Sequence, residues 1–552
     1  MKPLRQIAPI RGLAGLALVL SLSIAAARAQ ESTGGGPIPP LRELEAAGAV
    51  IGEIRINNQN VFDLDDPRED NALFRLANRL HIRTRPGVVL RSLLFKSGEP
   101  LSVRLIEESE RLLRGNDYLY DVRIEPVAFH DGIVDIEITT RDTWSLIPGF
   151  YFSRKGGANS SGLSLREHNL LGTGIDIGMS RTSNVDRSGR EYFISQKHAL
   201  DGWTGIEYKH GSFDDGSKDE FRLDRPFYAL DTRWAAGVSG IRNRRIDSIY
   251  SSSNIVGQYR HASDLAEIYG GWSRGLVNGW AHRYSFGLQY QDDAYSTDPS
   301  LPPPSQVPQD LTLVSPFIRY EVVEDDFAKL KNRNLIELVE YFALGFHSRL
   351  QLGRAASALG STRDLWLYDA TISKGFALEP GDNLLVSAYA KGRYGSEGGE
   401  SQFYGGTGKY YNQQRGRGLF FASISGEAVT NGAPADQLLL GGDSGLRGYP
   451  QRYQTGTQRA LLSLEQRAYT DWHPFRLIRV GGAVFFDHGR AWGGVNQNTA
   501  NPGWLSDVGF GLRLLVDRSA RGTVLHIDLA FPLNPDPAIK SYQFLVTTKT
   551  SF

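Results

Sequence analysis

Beyond Trp144, apolar and polar residues alternate with a period of two over most of the chain. In Ile478–Asp487, Ile478, Val480, Val484 and Phe486 share one face, and Arg479, Gly481, Ala483 and Asp487 share the other. The pattern returns in Leu505–Val516, where Val508, Phe510, Leu512, Leu514 and Val516 oppose Asp507, Gly509, Gly511 and Arg513. It returns again where Leu525, Ile527, Leu529 and Phe531 oppose His526, Asp528 and Ala530. Such alternation marks strands with one oily face and one face of small residues and charges. A soluble β-sandwich alternates too, but one sandwich is rarely as long as residues 143–552. At roughly 20 to 25 residues per strand and turn, that segment predicts an all-β transmembrane barrel of about 16 strands, with 18 also admitted. Gaps rich in Gly, Asp and Pro, such as Tyr295–Asp310, read as external loops.

The periodicity differs before Trp144. Ile54 and Ile56 alternate with Glu53, Arg55 and Asn57, a half-buried strand. Asn71–His81 then places Leu73, Phe74, Ala77 and Leu80 on one helical face. Ser102 can cap a second helix, whose inner stripe is Leu105, Ile106, Ser109, Leu112 and Leu113 and which Gly115 ends. Tyr120, Val122 and Ile124 share a face of the next strand, and Val134, Ile136 and Ile138 a face of the one after, with His130-Asp131-Gly132 turning between them. Residues 50–142 thus predict an α+β domain in the order strand, helix, helix, strand, strand.

The ends change the picture further. Lys2, Arg5 and Arg11 precede an apolar run from Leu13 to Ala27, and Ala27-Arg28-Ala29 is a small-x-small cleavage site. Residues 1–29 therefore read as a secretory signal peptide, because the run is shorter than the roughly 20 residues needed to cross a bilayer. Residues 30–49, with the aperiodic ESTGGGPIPP, read as a flexible linker. With no cysteine there are no disulfides, thiolate metal sites or cysteine nucleophiles. Lys plus Arg equals Asp plus Glu at 61 each, so no global charge favours nucleic acid. Mean hydropathy is −0.31, which excludes a bundle of spanning helices. The 61 glycines, 24 tyrosines and 26 phenylalanines suit many short strands instead.

Specific motifs sharpen this. The element order of residues 50–142, with EESERLLRGNDYLYDVRI (Glu107–Ile124), resembles a POTRA domain, the periplasmic module of outer-membrane assembly and secretion barrels. One such module is visible, whereas the best-known relatives carry two or more. LLLGGDSGLRGYP (Leu438–Pro450) resembles the inward-folded loop of the bacterial surface antigen superfamily, with the hallmark triplet Arg447-Gly448-Tyr449. FFDHG (Phe485–Gly489), SLEQR with Glu465, HNLLGTG (His168–Gly174) and LDRPFYALDTRW (Leu223–Trp234) resemble strands of the same group. The resemblance implies an α+β periplasmic POTRA domain followed by a barrel in the cell outer membrane. Its clients would be unfolded outer-membrane or secreted polypeptides, received as an added strand beside Tyr120, Val122 and Ile124. Outer-membrane lipid and periplasmic partner proteins are further partners on this reading, and no cofactor is implied. A dedicated two-partner secretion pore, or a passive channel or surface antigen on the same scaffold, are its alternatives.

Glu465 and Asp487 both fall on the charged, lumen-facing parity of their strands. Arg447 is suited to pair with both, since a planar guanidinium forks onto carboxylates and stays charged. Gly441, Gly442, Gly445 and Gly448 would let the loop turn inside a crowded barrel. Gly442-Asp443-Ser444-Gly445 matches the residues around the nucleophile of trypsin-like serine proteases, but the expected His segment is missing and the glycines already serve the loop. The 11 histidines are scattered without a ligand pair. No catalytic, cofactor-binding or metal residue is expected, and the chain does not read as an enzyme. The last strand sets Tyr542, Phe544 and Val546 against Gln543, Lys549 and Ser551 and stops at Phe552, which resembles the terminal signal of outer-membrane barrels.

Overall fold

A computed structural model describes residues 38–184, 186–200, 202–395, 399–496, 498–519, 524–537 and 539–549. Ala29 with the expected signal peptide, and Phe552, lie outside the described residues. The chain divides into two compact units. The smaller comprises the described residues up to Arg55 together with Lys96–Val103 and Glu125–Glu137. Helix α1 (Leu41–Ala46) belongs to it, so the stretch read as a flexible linker is helical from residue 41. Leu44 is buried there, an anchor that the composition of the preceding residues does not reveal. The Ile51 amide bonds the Glu99 carbonyl and the Ile51 carbonyl accepts from Gly98, which ties the first strand to Lys96–Val103.

The other unit holds all remaining described residues, and the three strands described next run through both. Strands β1 (Val50–Gln59), β2 (Leu119–His130) and β3 (Ile133–Asp142) form a sheet in the order β1-β3-β2. Asp131 and Gly132 take φ of 50° and 79°, so the β2–β3 hairpin turns in two residues where His130-Asp131-Gly132 predicted it. Between β1 and β2 in sequence lie three helices rather than two: α2 (Ala72–Leu80), α3 (Pro86–Arg91) and α4 (Val103–Arg114). Helix α3 is too short to show a period, and Pro86 at its first turn is its sequence signal. In α2, Phe74 is buried and stacks on Phe62 at 3.8 Å, but Leu73 and Leu80, expected on the same inner face, are exposed. The reason is Asn78, whose side chain bonds both the amide and the carbonyl of Phe62 and turns the helix onto its Phe74 side.

The barrel closes with 20 strands, not 16 or 18. Its first six strands, between Leu146 and Arg225, are only nine or ten residues long, so they fit more densely than the assumed spacing allowed. Longer strands, such as Asn254–Val277 with 24 residues, come later. The last strand, Gln543–Lys549, meets the first, Leu146–Lys155, at one described pair, Val546↔Arg154. Polarity is inside-out. Ile268, Phe286, Ile318, Ile424, Val484 and Phe510 are exposed on the wall, while Glu465, Arg467, Asp487, Arg513, His526 and Asp528 are buried within it. Water would penalise that outer surface and hydrocarbon would not. Among the described residues no helix is long and apolar enough to cross a membrane, which leaves strands unaddressed.

Both ends of the barrel are filled. Call the end where Leu146 begins the near end. There, between wall strands Leu311–Glu324 and His347–Ala355, the chain inserts an inner hairpin of Phe327–Lys331 paired with Val339–Ala343. Its Leu335, Ile336, Leu338 and Phe342 pack against the inward-facing Tyr411, Phe421, Tyr469 and Leu515 of the wall. At the far end the segment 431–457, between Gly418–Thr430 and Gln458–Tyr469, folds inward.

Candidate functional site: a loop locked inside the barrel

The far-end segment is built to turn back on itself. Leu438–Leu440 pairs with Gln454–Gly456 to form its neck, and a 3-10 turn at Gly442–Ser444 reverses it. Gly441 takes φ of 117°, and a Cβ there would lie 2.2 Å from the Pro450 carbonyl oxygen. Gly448 needs closeness instead of a special φ: a Cβ would stand 2.7 Å from that of Asp507. Its amide donates to the Asp507 carboxylate at 3.0 Å. Leu446 and Tyr449 are buried on either side of Arg447, and the Tyr449 hydroxyl donates to the Ser506 carbonyl at 3.2 Å.

These anchors deliver Arg447 to the middle of the inner wall. Asp487 accepts from Nε at 2.7 Å and from Nη2 at 2.9 Å, a bidentate fork. Glu465 accepts from Nη1 at 2.7 Å. The two acids sit on neighbouring strands but not opposite each other: Glu465 faces Phe485 and Asp487 faces Ser463. That diagonal offset is what a planar, five-donor group can span. The guanidinium also lies over the Phe485 ring at 3.4 Å, a cation–π contact that covers its remaining face.

The structure adds partners that the motifs did not single out. Asp528 lies 3.6 Å from Arg447 Nη1 and pairs closely with Arg513, which reaches Glu465 at 3.5 Å. Arg467 donates to the other Glu465 oxygen at 2.9 Å, and Ser463 donates to Asp487. Asp507, Arg513 and Asp528 share the inward parity of Asp487, which is the signal by which sequence could have found them. Their mutual contact depends on register across two further strands, which no local motif encodes.

Arg467 links this cluster to the near end. It lies over the Phe421 ring at 4.2 Å, and its Nη1 donates to the Arg333 carbonyl, at the tip of the inner hairpin, at 2.9 Å. Arg333 is itself buried, bonding Gln413 at 2.7 Å and the Gly381 carbonyl at 2.9 Å. Three amides, those of Arg333, Asn334 and Leu335, converge on the Glu340 carboxylate and fix the hairpin tip. Within the wall a cavity of about 650 Å³ persists, lined by Arg245, His261, Asp293 and Arg393 among others.

Helix α4 grips the same hairpin from outside. Glu110 accepts from Lys329 at 3.2 Å and from the Tyr341 hydroxyl at 3.3 Å, and Arg111 lies 3.6 Å over the Phe327 ring. Further along α4, Arg104 pairs with Asp231 and Glu108 accepts the Leu230 amide at 2.9 Å. Burial holds the Glu108 carboxyl above the usual range, although that amide and two arginines oppose the effect. On β2, Val122 and Ile124 are buried and Tyr120 packs against the inner-hairpin cluster. Among the described residues no fourth strand pairs with the outer edge of β2, and Arg114 donates to the Val122 carbonyl. The Arg447 group and the β2 edge are therefore separate places, joined through α4 and the inner hairpin.

No protein-family model and no curated protein matches the chain. Solved structures that resemble it include the following three. BamA from Haemophilus ducreyi lacking POTRA domains 1–3 is 12% identical with a TM-score of 0.38, over 91% of this chain and 84% of that one. CdiB from Acinetobacter baumannii is 12% identical with a TM-score of 0.40, over 91% and 74%. CdiB from Escherichia coli is 14% identical with a TM-score of 0.45, over 90% and 76%.

Proposed function

We propose that the chain is an outer-membrane barrel that inserts or translocates client polypeptides, without catalytic chemistry of its own. The observation that carries this reading is the gating hardware in an inside-out barrel. A locked loop crosses the lumen from one end, an inner hairpin fills the other, and α4 holds that hairpin beside a sheet whose β2 edge pairs with no further strand among the described residues. A passive channel has no use for a plug gripped by a client-facing domain, so this favours the polypeptide-handling readings over it. The sheet and helices of residues 50–142 act as the POTRA-like receiver. A client strand adds along β2 through backbone hydrogen bonds, because the side chains of Val122 and Ile124 are already committed to the interior.

Two measurements test the proposal. The protein is expected in the outer-membrane fraction, migrating faster on a gel unheated than boiled, since a closed barrel pairs its strand edges and resists detergent. A photo-crosslinker at exposed Arg123 on β2 is expected to capture outer-membrane or secreted polypeptides during their export. Recovery from the soluble periplasm ends the barrel reading. Membrane localisation with no adduct from Arg123, under conditions where exported clients are being made, leaves the barrel and ends the client reading.

A further inference from the structure

The leucines that α2 fails to bury stand at 64% (Leu73), 52% (Leu76) and 63% (Leu80) exposed, at spacings of three and four that put them on one face. Arg75 and Arg79 flank that face, and the opposite side is docked through Phe74 and Asn78. A short helix with an uncovered apolar stripe beside arginines is the pattern of a segment lying in a membrane interface.

The surroundings say what covers it. A groove of about 350 Å³ runs between α2 and the near rim of the barrel, where Leu76 and Leu80 face Trp144, Leu477 and Val516. Val516 is the last residue of the outward row Val508, Phe510, Leu512, Leu514 and Val516, so the oily belt of that wall strand continues without a break into the groove. Beside it the turn between Gln458–Tyr469 and Ile478–Trp492 exposes Trp472 and Phe475, aromatic residues of the kind that sit at a membrane–water boundary.

We infer that α2 is an interfacial lipid-docking helix: its Leu73, Leu76 and Leu80 face lies in the adjoining leaflet, and the groove against Trp144 and Val516 seats a phospholipid acyl chain. The inference rests on the membrane reading of the barrel and extends it to a helix outside the wall. Its consequence is that the segment carrying α2 is held at the bilayer surface and not free in the aqueous phase.

The chain contains no cysteine, so one introduced cysteine gives a unique label. The full-length variants Leu76→Cys, Phe510→Cys and Asp131→Cys, each checked for the gel shift of the folded barrel, are nitroxide-labelled and reconstituted into phosphatidylethanolamine–phosphatidylglycerol vesicles. Collision with oxygen is compared with collision with a water-soluble nickel chelate. At Leu76 the oxygen-to-nickel ratio is expected to approach that at Phe510 on the wall and to exceed that at Asp131, on the β2–β3 turn, several-fold. A ratio at Leu76 equal to that at Asp131, with Phe510 still in lipid, overturns the inference alone. Exclusion of both reagents at Leu76 means that protein covers the helix and also overturns it. A water-like ratio at Phe510 overturns the membrane reading itself.

Discussion

Arg447→Ala is expected to abolish client handling while the barrel still folds, and to expose Gly441–Pro450 to protease. Removing the guanidinium leaves Glu465 and Asp487 buried without their shared cation, and breaking a buried ionic network from one side costs about 3 to 5 kcal/mol. The loop is tethered by its neck and by Gly448, so that loss falls on its docking and not on the 20-strand wall. Arg447→Lys should recover little, since one ammonium cannot reproduce the bidentate fork to Asp487 together with the bond to Glu465. Limited proteolysis of membranes reads the docking and the gel shift reads the fold. Wild-type protection of the loop in Arg447→Ala would sink the lock.

The second large effect is expected at the other end. Lys331 and Val339 are cross-strand partners, so replacing residues 332–338 by Asn-Gly closes the inner hairpin with a two-residue turn and removes its tip. Arg333, Leu335, Ile336 and Leu338 then leave the near end of the lumen, and the wall residues they covered line an aqueous opening. In planar bilayers the shortened protein should conduct several-fold more than the parent and do so continuously. Equal conductance from a correctly folded variant would mean that the tip does not close the path.

Much of this architecture is legible in residue order. The alternation in Ile478–Asp487 and Leu505–Val516, and the turn at Asp131-Gly132, are local facts of the chain, and the fold obeys them. Arg447 with Glu465 and Asp487 was readable because each sits in a recognisable motif. Strand number was not, since it depends on strand lengths, which are only nine or ten residues between Leu146 and Arg225. Nor was the inner hairpin: Phe327–Lys331 and Val339–Ala343 alternate as wall strands do, and only burial in the lumen separates them. That Leu73 and Leu80 of α2 face outward was not legible, for the opposite reason. Periodicity finds an apolar face but does not say whether protein or lipid will cover it.

One residue makes the two ends of the barrel a single thermodynamic system. Arg467 holds Glu465, and through it Arg447, with one nitrogen, and holds the hairpin tip at Arg333 with another. Any force that draws the tip out at the near end therefore pulls on the same guanidinium that helps keep the loop seated at the far end. Linkage runs both ways. A molecule that clamped the loop in its docked state at the far end would make the hairpin harder to withdraw at the near end, without ever touching it.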